Sequence, residues 1–191
     1  MQYIKGIENY HNENRTAITL GKFDGLHLGH ELLIERVIEH QKKDGVDSVV
    51  FAFDMKSNRL LTSDEKAAKL DGRINYFVEC PFTEQISNMK AEDFIETVLV
   101  GIFHVKYIVV GTDFRFGFDR EGDIHMLKDF SEKFGYKIEV LEKKQYKGRE
   151  ISSTYVKEEL KKGNLDTVKE LLGYSYEKCI LVNDVTPKSQ K

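Results

Sequence analysis

Short apolar, β-rich runs alternate with amphipathic helical patterns along most of this chain. Strands are expected at 16–20, 48–53, 74–80, 106–110 and 137–141. Helices are expected at 28–43, 64–70, 91–103, 124–134, 154–162 and 165–172. Strand–helix alternation of this kind implies an α/β fold with a mostly parallel sheet and helices on both faces. Val49-Val50-Phe51 and Tyr107-Ile108-Val109-Val110 are continuous apolar runs, as central strands covered on both sides require. Ligands of such sheets bind beyond the carboxyl ends of the strands, where the strand order reverses.

The length of 191 residues suits one domain with a full core. The domain is expected over residues 1–174, followed by a short tail, 175–191, in which 178–182 could add an edge strand. A net charge of −3 gives no general attraction to nucleic acid or to an anionic membrane. Two cysteines make no disulfide framework, which fits a reducing compartment. No signal peptide and no bilayer-length apolar run is legible, so a cytoplasmic location is expected.

The chemistry concentrates in three places. Residues 21–30, Gly-Lys-Phe-Asp-Gly-Leu-His-Leu-Gly-His, fall between the first expected strand and the first expected helix. A helix N-terminus has unsatisfied N–H groups and a partial positive charge, so it attracts phosphate. His27 and His30, three apart, share one helix face and can point at one phosphate chain. Gly21, Gly25 and Gly29 would let that chain approach the backbone. A zinc site is disfavoured, because no third His or Cys follows at ligand spacing.

Residues 111–123 pack three phenylalanines, two arginines and three aspartates into a loop at a strand's carboxyl end. Alternation of Phe114, Phe116 and Phe118 fits a hairpin burying one face. It equally fits an aromatic wall for a planar ring, with Asp113 and Arg115 orienting polar groups. Residues 151–157, Ile-Ser-Ser-Thr-Tyr-Val-Lys, open another helix. Ser152, Ser153 and Thr154 are good capping residues in their own right. With Lys157 one turn in, they also make an anion cradle.

These three clusters, in this order, resemble the bacterial bifunctional riboflavin kinase/FAD synthetase family, in its N-terminal FMN adenylyltransferase module. Residues 21–30 are similar to the family's G-x-F-D-G-x-H-x-G-H signature. Val110 to Gly117 with Gly122-Asp123 resembles V-G-x-D-F-R-F-G…G-D, and Ile151 to Lys157 resembles I-S-S-T-x-x-R. Leu61-Thr62, Glu65-Lys66, Pro81-Phe82 and Phe94-Ile95 also fit the family's spacing. The likeness runs from about residue 16 to about residue 174.

The resemblance implies a Rossmann-like nucleotidyltransferase fold and the reaction ATP + FMN → FAD + pyrophosphate. It gives His27, His30 and Lys157 the catalytic roles. Gly21, Lys22, Phe23, Asp24, Gly25, Gly29, Ser152, Ser153 and Thr154 would bind ATP. Phe53, Asp113, Phe114, Arg115 and Phe116 would meet the flavin. Mg²⁺ would accompany ATP, and no residue is assigned as a dedicated metal ligand. ATP and FMN would be the partners, with no nucleic acid and no membrane. Three departures stand out. Met55-Lys56-Ser57 replaces the two prolines of F-D-P-h-P. Lys157 stands where the family has arginine, keeping the charge but losing the planar fork. The family's kinase barrel would begin after residue 174, so no kinase activity is expected of this sequence. Other readings of the same motifs are a different small-molecule adenylyl- or cytidylyltransferase, a flavin- or nucleotide-binding protein without turnover, and an interaction protein on the same fold.

Overall fold

The structure, a computed structural model, describes residues 1–54 and 58–176. Strands β1 (Gln2–Lys5), β2 (Thr16–Gly21), β3 (Asp47–Asp54), β4 (Tyr76–Pro81), β5 (Val105–Gly111) and β6 (Lys137–Leu141) form one sheet. Its order is β1-β4-β3-β2-β5-β6, with every neighbouring pair parallel. The period of two along each strand builds two cores. Ile18, Leu20, Val49, Phe51, Val78, Ile108 and Val110 face one way. They meet Phe94, Ile95, Val98 and Leu99 of the helix following α4 (Ala91–Asp93), and Leu127 of α5 (Ile124–Phe134). Their neighbours Val50, Ala52 and Phe77 face the other way, onto Ile34 and Ile38 of α1 (Leu28–Asp44) and Leu70 of α2 (Ser63–Leu70). An α/β sheet covered on both faces is the expected fold class.

From β2 the chain passes through α1 to β3 on one side, while β5 lies on the other. The order therefore reverses at β2, and the gap between the carboxyl ends of β2 and β5 is the crevice where such sheets bind ligands. The turn from β2 into α1 and the loop after β5 both open onto it.

Several elements differ from expectation. β1 is an addition; its four residues lie at the sheet edge, with both ends exposed. The strand expected at 74–80 begins at Tyr76, and Ile74 enters the core instead. The helix expected over 91–103 widens into a π-helix at Phe94–Ile102. A hairpin of β7 (Gln145–Tyr146) and β8 (Arg149–Glu150) turns on Lys147 and Gly148, both at positive φ, as a two-residue hairpin loop requires. The short helix α3 (Glu84–Ser87) is a further addition. Helices α6 (Ser153–Lys161) and α7 (Leu165–Leu172) close the described chain. The possible edge strand at 178–182 lies outside the described residues.

Candidate active site

The turn between β2 and α1 is held in a conformation that L-residues resist. Phe23 has φ 46°, Gly25 φ 83° and Leu26 φ 41°. Left-handed backbone is uncommon for bulky residues and persists only where surrounding structure enforces it. Here the enforcement is packing, since Phe23 and Leu26 are 0% and 1% exposed in the core beneath α1 and α2. Gly25, expected to let phosphate approach the backbone, is closed in by its neighbours. A Cβ there would lie 2.6 Å from Leu60 Cδ1, and the Gly25 carbonyl accepts from the Tyr174 hydroxyl at 2.7 Å. Gly25 serves the turn, whereas Gly21 and Gly29 line the crevice.

His27 is the N-cap of α1, and its ring stacks on His30 at 3.7 Å between centroids. The His30 amide donates to His27 Nδ1 at 3.4 Å. A neutral imidazole accepting at Nδ1 carries its proton on Nε2, so His27 has one N–H left to donate. Burial lowers the His27 pKa to about 4, against a smaller opposing pull from Asp24. Burial also drives His30 well below the ordinary histidine range, with His27 and the Lys66 charge adding to it. Both rings are therefore neutral at pH 7. His30 Nδ1 is buried without a hydrogen-bond partner among the described residues.

A cleft of about 390 Å³ opens over these rings at the sheet's switch point. Gly21, Lys22, Phe23, His27, Gly29 and His30 form one wall, and Ser152, Ser153 and Thr154 at the start of α6 form another. Asp113, Phe114 and Arg115 reach it from the loop after β5. Two helix N-termini thus converge on one cavity, each contributing partial positive charge. Ser152 caps α6 by accepting from the Tyr155 amide, and Ser153 Oγ donates to the Asp24 carbonyl at 2.8 Å. These hydroxyls fix the two helix starts against each other.

A second cleft, about 210 Å³, lies beyond the carboxyl ends of β2 and β3. Lys22 lines both clefts. Asp24, Phe53, Asp54, Arg59, Lys66 and Lys157 complete most of its lining. Lys157 pairs with Asp24 Oδ2 at 2.6 Å, and Asp24 Oδ1 accepts from the Leu60 amide at 2.7 Å. Arg59 lies 3.1 Å from Asp54.

The residues expected around a flavin divide. Asp113, Phe114 and Arg115 line the larger cleft and Phe53 the smaller. Phe116, expected at the flavin, is placed in the core instead of at either cleft wall. It is 4% exposed, stacks on Phe114, packs against Phe94 and lines neither cleft. Its backbone exchanges hydrogen bonds with Gly122, so part of the expected hairpin exists. Asp123 caps α5 through the His125 and Met126 amides and pairs with Arg115 at 2.7 Å. Asp113 pairs with Lys143 at 2.8 Å. Sequence reasoning misses Lys143 and Arg120 in the larger cleft and Arg59 and Lys66 in the smaller. Each reads in sequence as an ordinary solvated charge, and only Lys66 falls within a stretch of family-like spacing.

A doubly wound parallel sheet, with a strained glycine turn presenting paired histidines at a helix start, makes this a Rossmann-like α/β protein, an architecture consistent with the nucleotidyltransferase fold. The family model described as FAD synthetase matches residues 9–155. The chain belongs to the FAD synthetase family. It is 31% identical over 186 residues to a bifunctional riboflavin kinase/FMN adenylyltransferase of Buchnera aphidicola subsp. Schizaphis graminum, covering 91% of this chain and 60% of that protein. It is also 31% identical to the protein of that name from Escherichia coli K12 over 189 residues, covering 92% and 60%. The chain therefore spans about three-fifths of the length of these relatives. Among solved structures, a macrolide-efflux protein from Streptococcus pneumoniae shares the fold with a TM-score of 0.81 at 22% identity, over 92% of this chain and 63% of that one. No helix among the described residues is long and apolar enough to cross a membrane.

Proposed function

We propose that this chain transfers AMP from ATP to FMN, giving FAD and pyrophosphate. The observation that carries the reading is the pair of adjoining clefts. One has two helix N-termini and two neutral histidines around it; the other is lined by four cations and Phe53. ATP would occupy the larger cleft, with its phosphates between His27, His30 and the Ser152–Thr154 helix start. FMN would enter by the smaller cleft, with its ring near Phe53 and its phosphate toward Lys22 and Lys157.

A phosphate monoester has a second pKa of about 6 and arrives largely ionised, so attack needs no general base. A phosphate oxygen of FMN bonds to the α-phosphorus of ATP, and the bond to the bridging oxygen of the leaving pyrophosphate breaks. Charge moves onto that leaving group, and the protein's task is positioning and electrostatic stabilisation. Neutral His27 and His30 donate N–H bonds without giving up protons. Lys157 must exchange Asp24 for phosphate to take part.

Mg²⁺ would enter with ATP. Among the described residues no three His, Cys, Asp or Glu side chains are grouped to hold a metal. Asp24 and Asp54 line the smaller cleft and Asp113 the larger, and each is paired with a cation. That suits Mg²⁺, which is commonly held by one or two carboxylates together with substrate phosphates. When bound, the ion would neutralise phosphate charge.

Incubating the protein with ATP, Mg²⁺ and FMN, and separating the products by chromatography, tests the reading. FAD and pyrophosphate in equal amounts are expected. FMN binding without FAD at any ATP concentration would leave only a flavin-binding role.

A further inference from the structure

Lys66 lies on α2, facing β4, and is 4% exposed, yet it forms part of the smaller cleft's lining. Its Nζ pairs with Glu79 Oε1 at 2.5 Å. Glu79 Oε2 accepts from the Tyr3 hydroxyl at 2.9 Å. Tyr3 stacks on Phe77, and Lys66 stands 5.6 Å from the centre of the same ring. Burial alone would raise the Glu79 carboxyl. Hydrogen bonds from Lys66, Ser63 and Tyr3 overcome it and hold the carboxyl below its ordinary value. Glu79 is thus ionised and well supplied with donors.

Lys66 is not equally supplied. An ammonium has three N–H donors. Among the described residues, Glu79 is the acceptor that takes one of them. A buried ion pair that merely joined α2 to β4 would be a poor choice, since apolar residues of similar volume join elements as well or better. The surroundings suggest why a cation stands here. The cleft is lined by Lys22, Arg59, Lys66 and Lys157 against Asp24 and Asp54. Lys157 and Arg59 are matched to the two carboxylates. Lys22 has no ion-pair partner among the described residues. The Lys66 charge also reaches His30, across the boundary between the two clefts.

We propose that Lys66 is a phosphate-binding residue at the base of the smaller cleft, taking the phosphomonoester of the substrate that enters there. Its spare N–H donors meet the phosphate oxygens. Glu79, held by Tyr3 and Ser63, positions the ammonium. The inference rests on the reading of FMN as second substrate, and it adds a specificity: the site prefers FMN to riboflavin through Lys66.

The test is flavin-fluorescence titration of the full chain with FMN and with riboflavin, alongside circular dichroism and thermal melting. Two variants are compared with wild type, Lys66→Met and Lys66→Met/Glu79→Gln. The double variant removes the carboxylate that the single one leaves buried and unpaired, so its melting temperature stays closer to wild type. Both variants should bind FMN about 10- to 100-fold more weakly, the scale of one lost charge-assisted hydrogen bond. Riboflavin affinity should be unchanged. An unaltered ratio of FMN to riboflavin affinity in the folded double variant overturns the proposal. If wild type itself does not distinguish the two flavins, the FMN reading fails, and inorganic phosphate then decides on Lys66. Phosphate raising the melting temperature of wild type but not of the double variant upholds an anion site at Lys66; an equal rise in both overturns it.

Discussion

The Lys157 ammonium lies 2.6 Å from Asp24 Oδ2 and ties α6 to the turn that ends β2. The two side chains are 25% and 17% exposed, so the pair is partly withdrawn from water. Asp24 is anchored on its other oxygen by the Leu60 amide, and its carbonyl is held by Ser153. The carboxylate is therefore fixed, while the lysine, on a flexible four-carbon stem, is the partner able to move. In the proposed reaction Lys157 would swing from Asp24 to a phosphate oxygen.

Lys157→Ala should weaken FMN binding or turnover, and Lys157→Arg should preserve or improve them. Arginine keeps the charge and can engage phosphate and carboxylate with separate arms of its fork. Isothermal titration with FMN and steady-state rates decide the matter. A silent Lys157→Ala would reduce the residue to a structural tie between α6 and the turn.

His27→Ala and His30→Ala should each lower turnover by about 10²–10³, the scale for losing one transition-state donor. FMN affinity should hardly change, because the rings line the larger cleft and not the smaller. Product formation under saturating FMN, with a parallel flavin titration, separates the two effects. Rates within a few-fold of wild type in both variants would remove the histidines from catalysis.

Acid should destabilise the protein in a window set by these same rings. An unfolded histidine titrates near 6.5, and folded His27 near 4. Between those values the unfolded chain binds more protons, so stability falls as pH drops from about 6.5 and the loss is complete near 4. For His27 this amounts to on the order of 3 kcal/mol. His30 acts with the same sign. Glu79 is lowered below the ordinary carboxyl range, so its stabilisation is lost at still lower pH, as pH falls through its folded value. Urea midpoints at pH 7, 6 and 5 should therefore fall in order, and His27→Gln should flatten the fall. An unchanged slope in that variant would contradict burial as the cause.

Much of the fold is legible in the sequence because burial leaves a period there. The two-residue alternation that sends Val49 and Phe51 to one face and Val50 and Ala52 to the other can be read from the order of residues alone. The paired histidines are legible because a glycine turn and a helical pattern are both local signals. β1 is not legible, since four edge residues leave too little pattern. Pairings across the fold are hidden for a different reason. Lys157 with Asp24, and Lys66 with Glu79, are ordinary charges until the sheet order brings their elements together. Phe114 and Phe116 alternate in sequence, but alternation does not say which of them meets the cleft and which the core.

That last ambiguity yields a set of three substitutions with different outcomes. Phe116 is 4% exposed among Phe94, Phe114 and the backbone near Gly122, whose added Cβ would lie 2.7 Å from its ring. Phe116→Ala should therefore destabilise the fold by about 3–5 kcal/mol, the usual range for truncating a core phenylalanine. Phe53 and Phe114 are partly exposed cleft residues, and their alanine variants should fold. Phe53→Ala should weaken FMN by about 1–3 kcal/mol, the usual loss of an anchoring contact, and spare ATP. Phe114→Ala should do the reverse if ATP fills the larger cleft. Urea denaturation of all three variants, with separate titrations of FMN and ATP for the folded ones, reads every outcome. FMN weakened by Phe114→Ala and untouched by Phe53→Ala would exchange the two clefts: the flavin would belong at the switch point beside Asp113 and Arg115, and the cation-lined cleft would pass to the nucleotide.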